Sequence, residues 1–102
     1  MSQADAVTKI KINDSLKEPS MFKVIYLNDN QTTMDFVVET LIEFYDYTTE
    51  TAVKITADIH NNGQATVAIL PHEIAEQKGG EVVESARIQN FPLQIKLEPD
   101  TN

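Results

Sequence analysis

The chain has 102 residues, with 41% hydrophobic and 24% charged side chains, which is enough apolar material for one small domain and is not a disordered composition. Sixteen acidic side chains against eight basic ones give a net charge of -8, a surface that repels phosphates and anionic membranes, so neither nucleic acid nor membrane is an expected partner. The absence of cysteine excludes disulfides, thiolate zinc sites, iron–sulfur clusters and a Cys nucleophile, and no apolar run approaches the roughly 20 residues of a membrane span.

Residues 1–18 balance three basic against three acidic side chains and hold few large apolar groups. They are expected to form a flexible N-terminal extension, with a weak alternation at Thr8 to Ile12. The N-terminus lacks the order of a signal peptide, and the cytoplasm is the expected compartment. A single domain is expected over 19–102.

Met21 to Leu27 is rich in β-formers and predicts a buried strand. Asn28 to Gln31 is a turn by composition. Thr32 is the expected N-cap of a first helix, with Asp35 in capping-box position. Thr33 would then be its first helical residue. Its apolar stripe is Met34, Val37, Val38, Leu41, Phe44 and Tyr45, and it should run to about Asp46. Thr48 or Thr49 should cap a second helix, with Ala52, Ile55, Thr56, Ile59 and His60 on one face and Gly63 after its C-cap. A second strand follows from Gln64 to Leu70. Pro71 can open a third helix, with Ile74, Ala75, Val82 and Ala86 inward. Gly79-Gly80 should kink, break or fray it, at roughly 1 kcal/mol per Gly relative to Ala. Asn90-Phe91-Pro92 ends that helix, and Leu93, Ile95 and Leu97 alternate as a half-buried strand. The fold class is α+β: a two-layer β-α-α-β-α-β sandwich, with three helices on one face of a three-stranded, mostly antiparallel sheet.

Catalytic chemistry finds little support. The two histidines, His60 and His72, and four serines form no nucleophile elbow. Asn28, Asn30, Thr32 and Glu39 mimic an EF-hand spacing, but Thr33 stands where the loop needs Gly and the helix starts too early. No metal or cofactor is expected. Gly79-Gly80 lies inside a helical pattern and not after a strand, so no phosphate loop is present. What remains is the Asn28 to Thr32 loop and His60, which sits where a helix C-terminus favours an imidazole for structural reasons alone.

Five ordered motifs carry more information together. They are Pro19 to Asn30, Thr32 to Val38, Ile59-His60-Asn61-Asn62-Gly63, Ile74-Ala75-Glu76 with Lys78, and Phe91-Pro92-Leu93. Their sequence, order and spacing closely resemble the ClpS family from residue 19 to about 99. The resemblance implies the same β-α-α-β-α-β fold. It also implies a monomeric, non-enzymatic adaptor that binds N-degron proteins beginning with Phe, Tyr, Trp or Leu and delivers them to the N-terminal domain of the ClpA unfoldase of ClpAP. By the same resemblance, Asn28, Asp29 and His60 bind the substrate's free amine, and Asn30 meets the substrate backbone. Thr32, Met34, Val37, Thr56, Ile59 and Leu93 form the pocket for the first side chain. Glu73 and Lys78 contact the unfoldase, and residues 1–18 match the extension needed for handover.

This chain departs from the family at four places. Asn30 replaces an acidic residue, Thr33 a proline and Thr56 a pocket methionine, while Gly79-Gly80 is unusual in the third helix. The Thr56 change should relax discrimination against Ile and Val in first position. With reference pKa values of about 6.5 for imidazole and 7.7–8.0 for an α-amine, binding through a neutral His and a protonated amine should peak near neutral pH. The alternative reading is an interaction module of the same fold, such as the C-terminal domain of the ribosomal stalk protein. It gives no reason for Asn28, Asp29 and His60 to occur together. An enzyme using Asp29 and His60 as an acid–base pair would need a nucleophile or cofactor that the sequence does not offer.

Overall fold

The computed structural model describes residues 20–101. The extension and the Thr8 to Ile12 alternation lie outside the described residues. Six elements follow in the expected order: β1 (Met21–Leu27), α1 (Met34–Tyr45), α2 (Thr49–Asn62), β2 (Gln64–Pro71), α3 (His72–Ile88) and β3 (Gln94–Pro99). β1 is the central strand of the sheet, flanked by β2 and β3. Both pairings are antiparallel, not mostly so.

Register explains which residues reach the core. Phe22 faces Leu70 and Pro99, Val24 faces Ala68 and Leu97, and Tyr26 faces Ala65 and Ile95. These rows pack under the helices with Val37, Leu41, Ala52, Ile59, Val82 and Ala86. Between Val24 and Ile25 the β1–β2 register slips by one residue, leaving Val67 without a counterpart. A bulge of this kind lets two successive residues face one side, and Val67 is buried beside the half-buried Ala68.

The first helix begins one residue later than the Thr32 cap predicts. Thr33 is the N-cap, and its hydroxyl accepts from the Phe36 N–H at 3.1 Å. Thr32 is unavailable because Asp29 engages both its N–H and its hydroxyl. Thr33 is thus the capping residue and not the first helical one. The buried face of α1 also includes Phe36 and Thr40, which the apolar stripe omits. The Thr40 hydroxyl donates to the Val37 carbonyl and meets the Tyr26 hydroxyl at 2.8 Å, so its burial leaves no polar atom unpaired.

Asp46 ends α1 in a left-handed conformation at φ 60°, its N–H returned to the Leu41 carbonyl. No basic residue lies in the last turn of α1. Lys78 supplies that charge from α3, donating to the Phe44 carbonyl at 2.9 Å. Thr48 caps α2, and Gly63 closes it at φ 88°.

The third helix corrects three expectations. It runs unbroken from His72 to Ile88, with Pro71 as its N-cap, preceding the first helical residue. Packing overrides the two glycines: Ala75, Gly79, Val82 and Ala86 form one buried stripe against the sheet. Ile74 is not inward but 42% exposed, and Gly79 occupies the inward face in its place. A Cβ on Gly79 would meet Ile95 at 3.6 Å, an ordinary van der Waals contact, so sterics do not demand glycine there. Among the described residues, no helix is long and apolar enough to cross a membrane.

Candidate functional site

The β1–α1 loop is built around one carboxylate. Asp29 Oδ1 accepts from the backbone N–H of Gln31 at 2.8 Å and of Thr32 at 2.7 Å. Its Oδ2 accepts from the Thr32 hydroxyl at 2.8 Å. Partial burial raises the carboxyl's pKa, but these three bonds, with the positive field of Arg87, outweigh it and hold the pKa below its ordinary value. A carboxylate offers about four acceptor positions. Asp29 spends three on the loop and keeps one on Oδ2.

The loop is then tied to α2. The Asn28 N–H donates to the Gly63 carbonyl at 2.9 Å, while the Gly63 N–H is held by the Ile59 carbonyl at 3.0 Å. The left-handed glycine thus turns its carbonyl toward β1, and the last turn of α2, with His60, is fixed beside Asn28. Neither the Asn28 amide nor the His60 ring has a side-chain hydrogen bond among the described residues. Both are exposed and free to receive a ligand.

Behind this rim lies a small concavity of about 20 Å³ that opens to solvent. Val37 from α1, Thr56 and Ile59 from α2, and Leu93 before β3 form its buried base, each at most 7% exposed. Thr32 and the 47%-exposed Met34 stand at its side. Asn28, Asp29 and His60 line the same concavity. All nine residues expected at the amine site and pocket therefore meet in one place, drawn from four segments.

Thr56 is less polar toward the pocket than its residue type suggests. Its hydroxyl donates to the Ala52 carbonyl at 2.8 Å and is buried within α2. Leu27, the half-buried last residue of β1, also lines the concavity. Sequence reasoning missed it, and its place directly before Asn28 was the available signal. The Gly63 carbonyl and Arg87 were missed as well, because both act through backbone groups or at a distance.

Three expected residues lie elsewhere. Asn30 is exposed and does not line the concavity. Glu73 and Lys78 sit on α3, which contributes nothing to the pocket. Lys78 is half-buried on the Phe44 carbonyl, whereas Glu73 is exposed in the first turn. Among the described residues no cluster of three or more His, Asp or Glu could hold a metal.

The chemistry available is thus an arrangement of acceptors over an apolar base. Asn28 offers an amide oxygen, Asp29 one carboxylate position and His60 a ring nitrogen. Among the described residues, no Lys or Arg lines the concavity.

Comparison with known proteins gives the same reading of the fold. The family model for ATP-dependent Clp protease adaptor protein ClpS matches residues 17–96. A ClpS adapter protein of Campylobacter jejuni is 45% identical over 85 residues, 83% of this chain and 88% of its own. One from Acetivibrio thermocellus is 40% identical over 94 residues, 92% of this chain and 95% of its own. Among solved structures, Agrobacterium tumefaciens ClpS2 bound to L-phenylalaninamide superposes with a TM-score of 0.78 at 30% identity, covering 81% of this chain and 100% of its own. The chain belongs to the ClpS family of Clp protease adaptor proteins.

Proposed function

We propose that this adaptor recognises the free N-terminal amine and the bulky hydrophobic first residue of N-degron proteins. The observation that carries this reading is the convergence of three groups with acceptor positions to spare, Asn28, Asp29 and His60, at the rim of an apolar concavity. An ammonium group needs acceptors, and a Phe, Tyr, Trp or Leu side chain needs an apolar recess. Charge-assisted hydrogen bonds contribute about 1.5–3 kcal/mol each, and burying a large side chain contributes about as much. Neither part suffices alone for tight binding. A blocked amine leaves the acceptors unpaired, and a Gly leaves the recess empty. The ligand of the A. tumefaciens relative, L-phenylalaninamide, combines a free amine with an aromatic side chain and supports the same assignment.

In this reading Val37, Thr56, Ile59 and Leu93 hold the first side chain, with Thr32 and Met34 at its edge. Asn30, exposed in the loop, is the proposed contact for the substrate backbone. The protein acts as a monomer in the cytoplasm, performs no catalysis itself, and hands its cargo to the ClpA unfoldase of ClpAP. Glu73 and Lys78 on α3 are the proposed ClpA contacts, with Lys78 also serving α1. Residues 1–18 form the proposed extension used in handover.

Fluorescence anisotropy tests the reading with three peptides that differ only at the start: free Phe, N-acetyl-Phe and free Gly. Binding of free Phe alone is expected. Equal binding of all three, or of none, would overturn it.

A further inference from the structure

We infer that the protein carries a second subsite, for residues two to four of the peptide whose first residue fills the pocket, and that Arg87 selects an acidic side chain there. This rests on the peptide-binding reading above. A peptide held by its N-terminus must leave across the pocket rim. At Leu27, Asn28 and Asp29 that rim continues into a shallow depression that also touches Pro92 and Gln94. Pro92 and Gln94 in turn border an open groove with Gln31, Arg87 and Asn90. The three depressions share residues in succession, so they form one track from the pocket to Arg87.

The lining suits an extended peptide. Gln31, Asn90 and Gln94 are exposed, and each side-chain amide offers both donors and an acceptor. Such groups match the peptide N–H and C=O in either polarity. Phe91 and Pro92 add an apolar surface. Among the described residues, Arg87 is the single charged one lining the groove. Its Nη1 donates to the carbonyls of Phe91 at 2.8 Å and Leu93 at 2.9 Å, which holds one corner of the guanidinium in place. Nη2 and Nε have no hydrogen bond, and no ion pair joins Arg87 to a carboxylate, among the described residues. A planar fork anchored at one corner, with its remaining donors free, is matched to a carboxylate.

The net charge of -8 makes the inference sharp. The long-range field of the protein repels acidic peptides. A preference for acid at one defined position runs against that field and must come from a local contact.

Anisotropy with the full chain provides the test. Phe-initiated peptides carry Asp, Asn or Lys at position two, three or four. At one of these positions Asp is expected to bind about two- to five-fold tighter than Asn at low salt, as an exposed ion pair allows, with Lys weakest. The Asp-to-Asn ratio within each protein cancels any general loss of affinity from disturbing Leu93. Arg87→Met should bring that ratio to one. Gln94→Glu leaves the Arg87 anchor intact and should turn the preference toward Lys. A wild-type protein indifferent to Asp at all three positions, or an Asp preference that survives in Arg87→Met, overturns the subsite. If no Phe-initiated peptide binds at all, the pocket reading itself fails and the subsite falls with it.

Discussion

Asp29 and Thr32 are joined twice: the Thr32 N–H donates to Oδ1 at 2.7 Å and its hydroxyl to Oδ2 at 2.8 Å. This pair sets the shape of the loop, moves the helix cap to Thr33, and leaves one acceptor position on Asp29, which lines the pocket. Asn28 and His60 carry no such structural duty. The rim residues should therefore separate by experiment.

Asn28→Ala and His60→Ala should each weaken binding of a Phe-initiated peptide by about ten- to a hundred-fold, the scale of one lost charge-assisted hydrogen bond. Stability should change by no more than about 0.5 kcal/mol. Anisotropy and urea unfolding on the same preparations check both halves. Unchanged affinity in both variants would remove them from the site.

Asp29→Ala should lose stability as well as binding, because three loop donors lose their acceptor. The folded pKa of Asp29 lies below its ordinary value of 3.8. A depressed carboxylate pKa contributes stability that is present above the unfolded value and is lost as pH falls through the folded one. The stability difference between wild type and Asp29→Asn should therefore shrink below about pH 4. Denaturant titrations at pH 7 and pH 3 measure it, and an equal difference at both would refute the linkage.

Thr56 presents a short, β-branched wall whose hydroxyl is committed to Ala52. Peptides beginning with Ile, an isomer of Leu, should bind within about ten-fold of Leu, and those beginning with Val within about 10- to 200-fold, since one methylene in an apolar pocket discriminates by about 1–3 kcal/mol. Thr56→Met should narrow the pocket and widen that gap. Undetectable Ile and Val binding to the wild-type protein would show that Thr56 does not relax selection.

Gly79→Ala and Gly80→Ala should each stabilise the fold by about 0.5–1 kcal/mol. The added methyl at Gly79 reaches ordinary contact with Ile95, and at Gly80 it meets open space. Peptide binding should be unchanged, because neither glycine lines the pocket or the groove leading to Arg87. Thermal unfolding reads the gain, and a destabilised Gly79→Ala would mean that α3 sits tighter on β3 than the 3.6 Å approach indicates.

The buried Tyr45 hydroxyl has no hydrogen-bond partner among the described residues. Burial, with Glu81 nearby, pushes its pKa up to about 12. Tyr45→Phe should stabilise the protein by about 1 kcal/mol by removing an unsatisfied group. A raised tyrosine pKa contributes stability that is present below the unfolded value, near 10, and is lost as pH rises through the folded one. The variant should therefore lose less stability than wild type between about pH 10 and 12. Urea unfolding at pH 7 and 10.5 checks both effects.

Much of the fold was legible because the local signals agree with one another. β1 is a run of β-formers, Thr48 and Gly63 punctuate α2, and Leu93, Ile95 and Leu97 alternate. Where expectation failed, a tertiary contact had overridden a local preference. Gly79-Gly80 predicts a break, yet burial of Ala75, Gly79, Val82 and Ala86 on the sheet holds the helix together. Thr32 and Thr33 are equivalent as caps until Asp29 occupies one of them. Ile74 fits an inward position by residue type, but the small-residue stripe beside it faces the sheet.

The sequence by itself determined the element order, the fold class and, through its ordered motifs, the family. Element order and fold class follow from periodicity, capping and spacing, which are properties of neighbouring residues, and the family follows from the resemblance of its motifs. Only the tertiary structure decided that nine residues from four segments line one concavity. It also decided that Asn28 is held to Gly63 across the chain, and that Arg87 stands beyond the rim with donors to spare. Antiparallel pairing and the left-handed turn at Gly63 create those meetings, and no local pattern encodes a distance between residues thirty or sixty positions apart.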